Sequence, residues 1–331
     1  MKNNLFNSAL SKIVLLILLA LTVSTVFAKE TLVVVNRDDS TVSIIDPNEM
    51  KVLATVPTGD SPHEVVISAD GKTAIVSNYG AQKAGSSLSI IDLETKKETK
   101  RVDLLPMMRP HGLVEIGGKI YFTAEVNNLV GRYDLAAKKV DWLIGTGQTS
   151  SHMLVVTPDQ KKIYTANVTS DTVTAIEFGA VPPAGSKVTH IPVGKQPEAI
   201  DISPNGKEVW VGLNAENAIQ IIDTTQNKVV EKISIGERPY RIRFTPDGKQ
   251  AVATIPNTKE LIVFDAATRK EIKRISLESY PLGITFSKDG KLAFVSVTQS
   301  DFVLKIDVEK GEIIGKVATG KASDGIALAG M

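Results

Sequence analysis

Along most of the chain, short runs of β-branched and other apolar residues alternate with turn-forming residues on a fixed period. The clearest copy opens at Thr58-Gly-Asp-Ser-Pro-His63 and runs through an apolar stretch to Asp70-Gly71. It resumes from Thr73 to Ser77, then from Leu88 to Ile91, and closes on Asp92. The position of His63 recurs as His111, His152, Glu198, Tyr240, Leu282 and Asp324, at steps of 48, 41, 46, 42, 42 and 42 residues. The position of Asp92 recurs as Asp46, Asp134, Glu177, Asp223, Asp265 and Asp307. Seven copies of a unit near 42 residues long define a repeat architecture, in which each unit buries its apolar faces against its neighbours.

Each unit predicts four strands. The first ends at Asp70-Gly71 or a relative, such as Asn205-Gly206, Asp247-Gly248 or Asp289-Gly290, which suits a tight hairpin because Gly, Asn and Asp accept positive φ. A second strand follows the turn, a third ends in the recurrent acidic residue, and a fourth precedes the next Gly, as in Lys228 to Ile235. Four antiparallel strands per unit predict an all-β fold, a seven-bladed β-propeller. The last unit holds one strand, around Asp324, and the missing three lie at Thr31 to Val35, Thr41 to Ile45 and Lys51 to Val56. A composite blade from both termini is expected to close the ring and remove exposed edges. The recurrent Asp reads as an Asx-turn device, and Trp142 and Trp210 read as fillers between blades.

Residues 1–28 read as a signal peptide: Lys2 and Lys12, an apolar core from Ile13 to Val23, and a small-residue site at Val26-Phe-Ala28. Residues 29–331 then form one propeller domain, periplasmic or secreted, with no stable membrane span once the leader is cleaved. There is no cysteine, so neither a disulfide framework nor Cys lipidation is available. The whole chain carries a net charge of +1, and removal of the leader's two lysines leaves −1. That balance offers no general attraction for nucleic acid or an anionic membrane. A monomer is expected. Two units carry extra length, Tyr79 to Ser86 and Gly179 to Ser186; the first should sit beside the histidines.

The motifs Gly-x-x-Pro-His, Ser-x-Asp-Gly-Lys, Val-Ser-Asn and Ser-Ile-Ile-Asp resemble the YVTN-type β-propeller repeat of secreted bacterial and archaeal proteins. The resemblance covers residues 30–331. It implies the fold directly and, for function, a binding, surface-layer or cofactor-associated role.

Function must be sought in what varies between repeats. Pairing the residue that opens each inner strand with the one that ends the second strand gives Asp324/Asn36, His63/Asn78, His111/Glu125, His152/Asn167, Glu198/Leu213, Tyr240/Ile255 and Leu282/Val297. One sector of the channel mouth is polar and the other apolar, the mixed lining of a small-molecule pocket. The leading expectation is a binding or interaction protein that takes a small molecule or an envelope protein at this face. The ligand-contacting candidates are Asn36, Arg37, Asn78, Tyr79, Arg109, Asn167, Arg238 and Tyr240, with the arginines suited to a carboxylate or phosphate. A second reading is a metal site: His63, His111 and His152 with Glu198 suit zinc, copper, iron or nickel. A third is a non-metal lyase or lactone hydrolase, with His111 as general base and Glu125 or Glu198 as its partner.

Overall fold

The computed structural model describes residues 30–330, and the leader expected at residues 1–28 lies outside them. The described residues form twenty-eight strands in seven four-stranded antiparallel sheets, as the period requires. Blade 1 draws on both ends of the chain: Ser323–Ala329 is its inner strand, followed by Thr31–Asn36, Thr41–Asp46 and the outer Lys51–Pro57. Its closing register pairs Leu32 with Leu328 and Val34 with Ile326. Blades 2 to 7 follow in chain order, with inner strands Pro62–Ile67, Pro110–Ile116, Ser151–Val156, Pro197–Ile202, Arg241–Phe244 and Pro281–Phe286.

Burial explains the composition of the strands. The second strand of a blade is covered on both faces, so it reads as a continuous buried run: Thr31–Asn36, Thr73–Asn78 and Gln250–Ile255 each have five consecutive buried residues. The outermost strands alternate half-buried with exposed positions because water reaches one side, as in Lys228–Ser234. Seven hydrophobic clusters lie one at each blade–blade interface, including the interface between blades 7 and 1 that closes the ring. Trp210 fills the interface of blades 5 and 6 between Phe244 and Phe264, with ring centroids 5.4 and 5.8 Å away. Trp142 fills that of blades 3 and 4.

The recurrent polar residues hold turns. In the first hairpin of blade 2, Ser68 Oγ donates to Asp70 (2.6 Å) and the Lys72 N–H donates to the same carboxylate (3.0 Å). The arrangement repeats at Thr157/Asp159, Ser203/Asn205, Thr245/Asp247 and Ser287/Asp289. The Asp that ends each third strand accepts backbone N–H groups two or three residues on, at Asp46, Asp92, Asp134, Asp223, Asp265 and Asp307. Bonds from Thr95 and Thr268 hold Asp92 and Asp265 below the usual carboxylate range. These aspartates are structural, as their repetition implied.

Candidate functional site

The inner strands run down the channel axis, and six of them enter through a register irregularity. The pairing shifts between Pro62 and Val65, Pro110 and Leu113, Ser151 and Leu154, Pro197 and Ile200, and Pro281 and Ile284. In blade 1 it shifts opposite Ser323 and Ile326. A bulge inserts an unpaired residue and re-aims side chains. Here it carries His63, His111, His152, Glu198, Leu282 and Asp324 at the channel mouth. Tyr240 stands just before the strand of blade 6, its N–H bonded to Thr254 O (2.9 Å).

One residue deeper, the repeat holds Glu64, Gly112, Met153, Ala199, Arg241, Gly283 and Gly325. At Gly283 and Gly325 neighbouring inner strands come closest: an added Cβ would lie 2.4 Å from Asp324 O and from His63 O respectively. Arg241 reaches from blade 6 to blade 2, where Nη2 donates to the Glu64 carboxylate. The same nitrogen is 3.9 Å from Asp324 Oδ1, while Arg37 Nη1 is 3.5 Å from Asp324 Oδ2. The side chain of Arg241 is 4% exposed and that of Asp324 is not exposed at all. Burial raises the pKa of both Glu64 and Asp324, opposed by Arg241. Burial also works against the charge on Arg241, but Glu64, Tyr240 and Asp324 outweigh it and hold the guanidinium protonated. This ion cluster floors the mouth.

Above the floor, the histidines form one wall. His111 stacks on His152 with ring centroids 3.7 Å apart and 31° between planes, and His63 meets His111 edge-on at 5.2 Å. Tyr79 packs on His63 at 4.4 Å and donates from its hydroxyl to Glu125 (2.7 Å). His152 lies between two carboxylates, with Nδ1 3.5 Å from Glu125 and Nε2 4.0 Å from Glu198. Asn214 donates to Glu198. Burial lowers His63 to about 4 and holds His111 well below the ordinary imidazole value, so both are neutral near neutral pH. Burial opposes ionisation of Glu125, but the neighbouring His152 imidazole and the bond from the Tyr79 hydroxyl win and lower its pKa. Burial, together with the bond to Glu125, raises Tyr79.

The structure sorts the sequence candidates. His63, Tyr79, His111, Glu125, His152, Glu198, Arg37 and Tyr240 come together around the axis. The loop from Tyr79 to Ser86 lies beside the histidines as expected, clasped by Arg109, whose guanidinium donates to Gly80 O (2.9 Å) and Ala81 O (3.1 Å) and covers the Tyr79 ring. Arg109 therefore positions this loop, and with Tyr79, Glu125, Asn128 and Ser150 it lines a side cavity of about 360 Å³. Arg238 lies over the Tyr240 ring with its Nε buried and without a hydrogen-bond partner. The amides of Asn36, Asn78 and Asn167 are engaged inside their blades. Asn78, for example, accepts from Gly59 N–H (3.0 Å) and donates to Ser87 and Ser89; Asn36 does the same for Gly320, and Asn167 for Ser151 and Thr174. These asparagines tie down the chain where it enters blades 1, 2 and 4.

The metal set of His63, His111, His152 and Glu198 does not assemble. Stacking sets the ring planes of His111 and His152 side by side, so their in-plane lone pairs do not converge, and His63 Nδ1 is held at 3.0 Å by Ser61 O. Among the described residues no group of three or more His, Asp or Glu side chains is arranged to hold a metal ion. The pairing of His111 with Glu125 or Glu198 is also replaced: both carboxylates flank His152. Arg241 and Glu64 join the site although neither is among the sequence candidates. Their signal was present, since both occupy one repeat position where the other copies hold Gly, Met or Ala.

A seven-bladed propeller with a charged floor and an aromatic–histidine wall at one end of its axis is the class this geometry defines. The family model of YNCE-like beta-propellers matches residues 119–327, and the chain belongs to that family. A functionally unknown protein from Desulfotomaculum acetoxidans DSM 771 superposes with a TM-score of 0.76 at 16% identity, covering 90% of this chain and 98% of its own. Kuenenia stuttgartiensis hydrazine synthase gives a TM-score of 0.68 at 21% identity, covering 79% of this chain and 87% of that one. Both likenesses concern the fold. A search of the curated proteins finds no match.

Proposed function

We propose that this protein is an exported YVTN-type propeller that binds a small polar ligand, or a polar segment of an envelope protein, at the mouth bounded by Tyr79, Glu125, His152, Glu198 and Arg37. The observation that carries the reading is the set of buried ionisable groups beneath this mouth. A buried ion pair is no better for stability than well-packed apolar residues of similar volume, and the fold needs no charge there: Ala199 and Met153 occupy the same repeat position as Glu64 and Arg241. Perturbed titratable groups gathered at one end of the axis mark a site of recognition. The side chains of Glu125, His152 and Glu198 remain 15–19% exposed, so the wall is reachable from solvent. Periplasmic or secreted placement rests on the leader sequence.

Thermal-shift screening of polar metabolites, followed by calorimetry on wild type and His152→Ala, tests the reading. A hit should bind at least about tenfold more weakly to the variant, or about 1.4 kcal/mol, while the variant keeps its fold. Equal affinity would remove the mouth from the site. The Glu125–His152–Glu198 array also supports a second reading, lyase or lactone hydrolase, since an imidazole flanked by two carboxylates at 3.5 and 4.0 Å supplies the residue types of general acid–base chemistry. Turnover of a lactone or ester panel that vanishes in His152→Ala with a pH dependence would favour it; absence of turnover returns the protein to binding.

A further inference from the structure

The far end of the channel, beyond the ion cluster, holds a separate cavity of about 330 Å³. It is lined by the later halves of the inner strands, from Val65, Leu113, Arg243, Thr285 and Ile326 downward, whereas the histidines stand where those strands begin. Its volume sits at the low end of small-molecule sites. One ring of this cavity is formed by equivalent repeat positions: Val66, Val114, Asp201, Arg243, Thr285 and Ala327. The polar members fall on consecutive blades 5, 6 and 7, and the apolar ones on blades 1, 2 and 3. The ring is therefore two-sided.

Asp201 is buried, 8% exposed, and its two oxygens are occupied differently. Oδ2 accepts the Phe244 N–H (2.8 Å) and Oδ1 faces Arg243 Nη1 (3.3 Å). Asp201 thus fixes one end of the guanidinium, while 38% of the Arg243 side chain stays exposed. A guanidinium oriented by a buried carboxylate presents its other edge as a planar pair of donors, the geometry that matches a carboxylate. The other acid of the cavity, Glu115, belongs to blade 3, across the axis, and accepts the Gly118 N–H (2.9 Å).

We propose that this cavity is a second ligand site, for a small apolar carboxylic acid whose carboxylate pairs with Arg243 and whose body packs on Val66, Val114, Phe244 and Phe286. The ion cluster of Arg241, Glu64 and Asp324 separates it from the mouth, so the two sites are distinct compartments of one channel.

Calorimetry with benzoate and hexanoate, against benzamide and hexanamide as neutral isosteres, tests the proposal on the wild-type protein. Both acids should bind saturably at one site, and each amide about tenfold or more weakly, equivalent to about 1.4 kcal/mol. Arg243→Met should weaken the acids by a similar factor and leave the amides unchanged. The double variant Asp201→Asn/Arg243→Met leaves no unpaired charge and keeps the test readable if the single variant unfolds. Ala327→Phe, which fills the cavity, should remove binding of acids and amides alike. Acids and amides binding equally, acids binding Arg243→Met as they bind wild type, or no saturable binding of either acid would each overturn the proposal.

Discussion

Removing Arg241 while Glu64 remains leaves a carboxylate without its counter-ion in the middle of the channel. Breaking one side of a buried pair costs about 3–5 kcal/mol, because the remaining charge stays desolvated. Arg241→Met should therefore lower unfolding free energy by an amount in that range, and Glu64→Gln/Arg241→Met should recover much of it. Urea denaturation of the three proteins measures this; an Arg241→Met midpoint equal to wild type would show that the cluster bears no such load. The imidazoles make a second prediction. Burial lowers His63 from 6.5 to about 4, so the unfolded chain takes up the proton first. The contribution of His63 is complete above pH 6.5 and is lost as pH falls toward 4; His111 acts in the same sense. Glu64 and Asp324, whose pKa values are raised, act in the opposite sense, losing their contribution as pH rises. His63→Gln should accordingly flatten the loss of stability between pH 6.5 and 4, the carboxylate contribution being common to both proteins. Parallel stability curves would contradict the assignment. The histidines were legible because alignment of repeats puts them in one column. The contact of Glu64 with Arg241 joins residues 177 apart, and only closure of the ring brings them within reach.

At the scale of elements, one strand holds the ring shut. Ser323–Ala329 pairs with Thr31–Asn36 and contributes Ile326 and Leu328 to the cluster between blades 7 and 1. A chain ending at Gly320 would expose the inner edge of blade 1 and open that cluster. Exposed edges pair with other chains, so the truncated protein should denature at lower urea and form oligomers in size-exclusion chromatography. A peptide of residues 321–331 should reverse both effects; a truncated monomer as stable as wild type would refute the closure argument. The strands, hairpins and composite blade were readable because a period near 42 residues repeats every turn signal. The bulges at the start of the inner strands were not. A bulge depends on how two strands register against each other, and Pro-His or Pro-Leu does not announce it. That shift also explains the asparagines: ending the second strand, Asn78 meets the Gly59 N–H of the incoming loop rather than the channel.

Across the whole molecule, the axis carries two different ends. The mouth gathers His63, Tyr79, His111, Glu125, His152 and Glu198 over an ionic floor, while the opposite end is a mostly apolar cavity with Asp201 and Arg243 on one side. The sequence marked the mouth through its variable columns. The far cavity is not legible in the sequence, because its lining alternates with buried strand positions and reads as ordinary core. No helix of the described residues is long and apolar enough to cross a membrane. Hydrogen exchange with and without a bound polar ligand or envelope partner locates the binding face. Binding at the mouth should slow exchange at the beginnings of the inner strands of blades 2 to 5 and in the loop from Tyr79 to Ser86. Protection confined to the outer strands, or to the Asp-Gly turns at the opposite end, would contradict it.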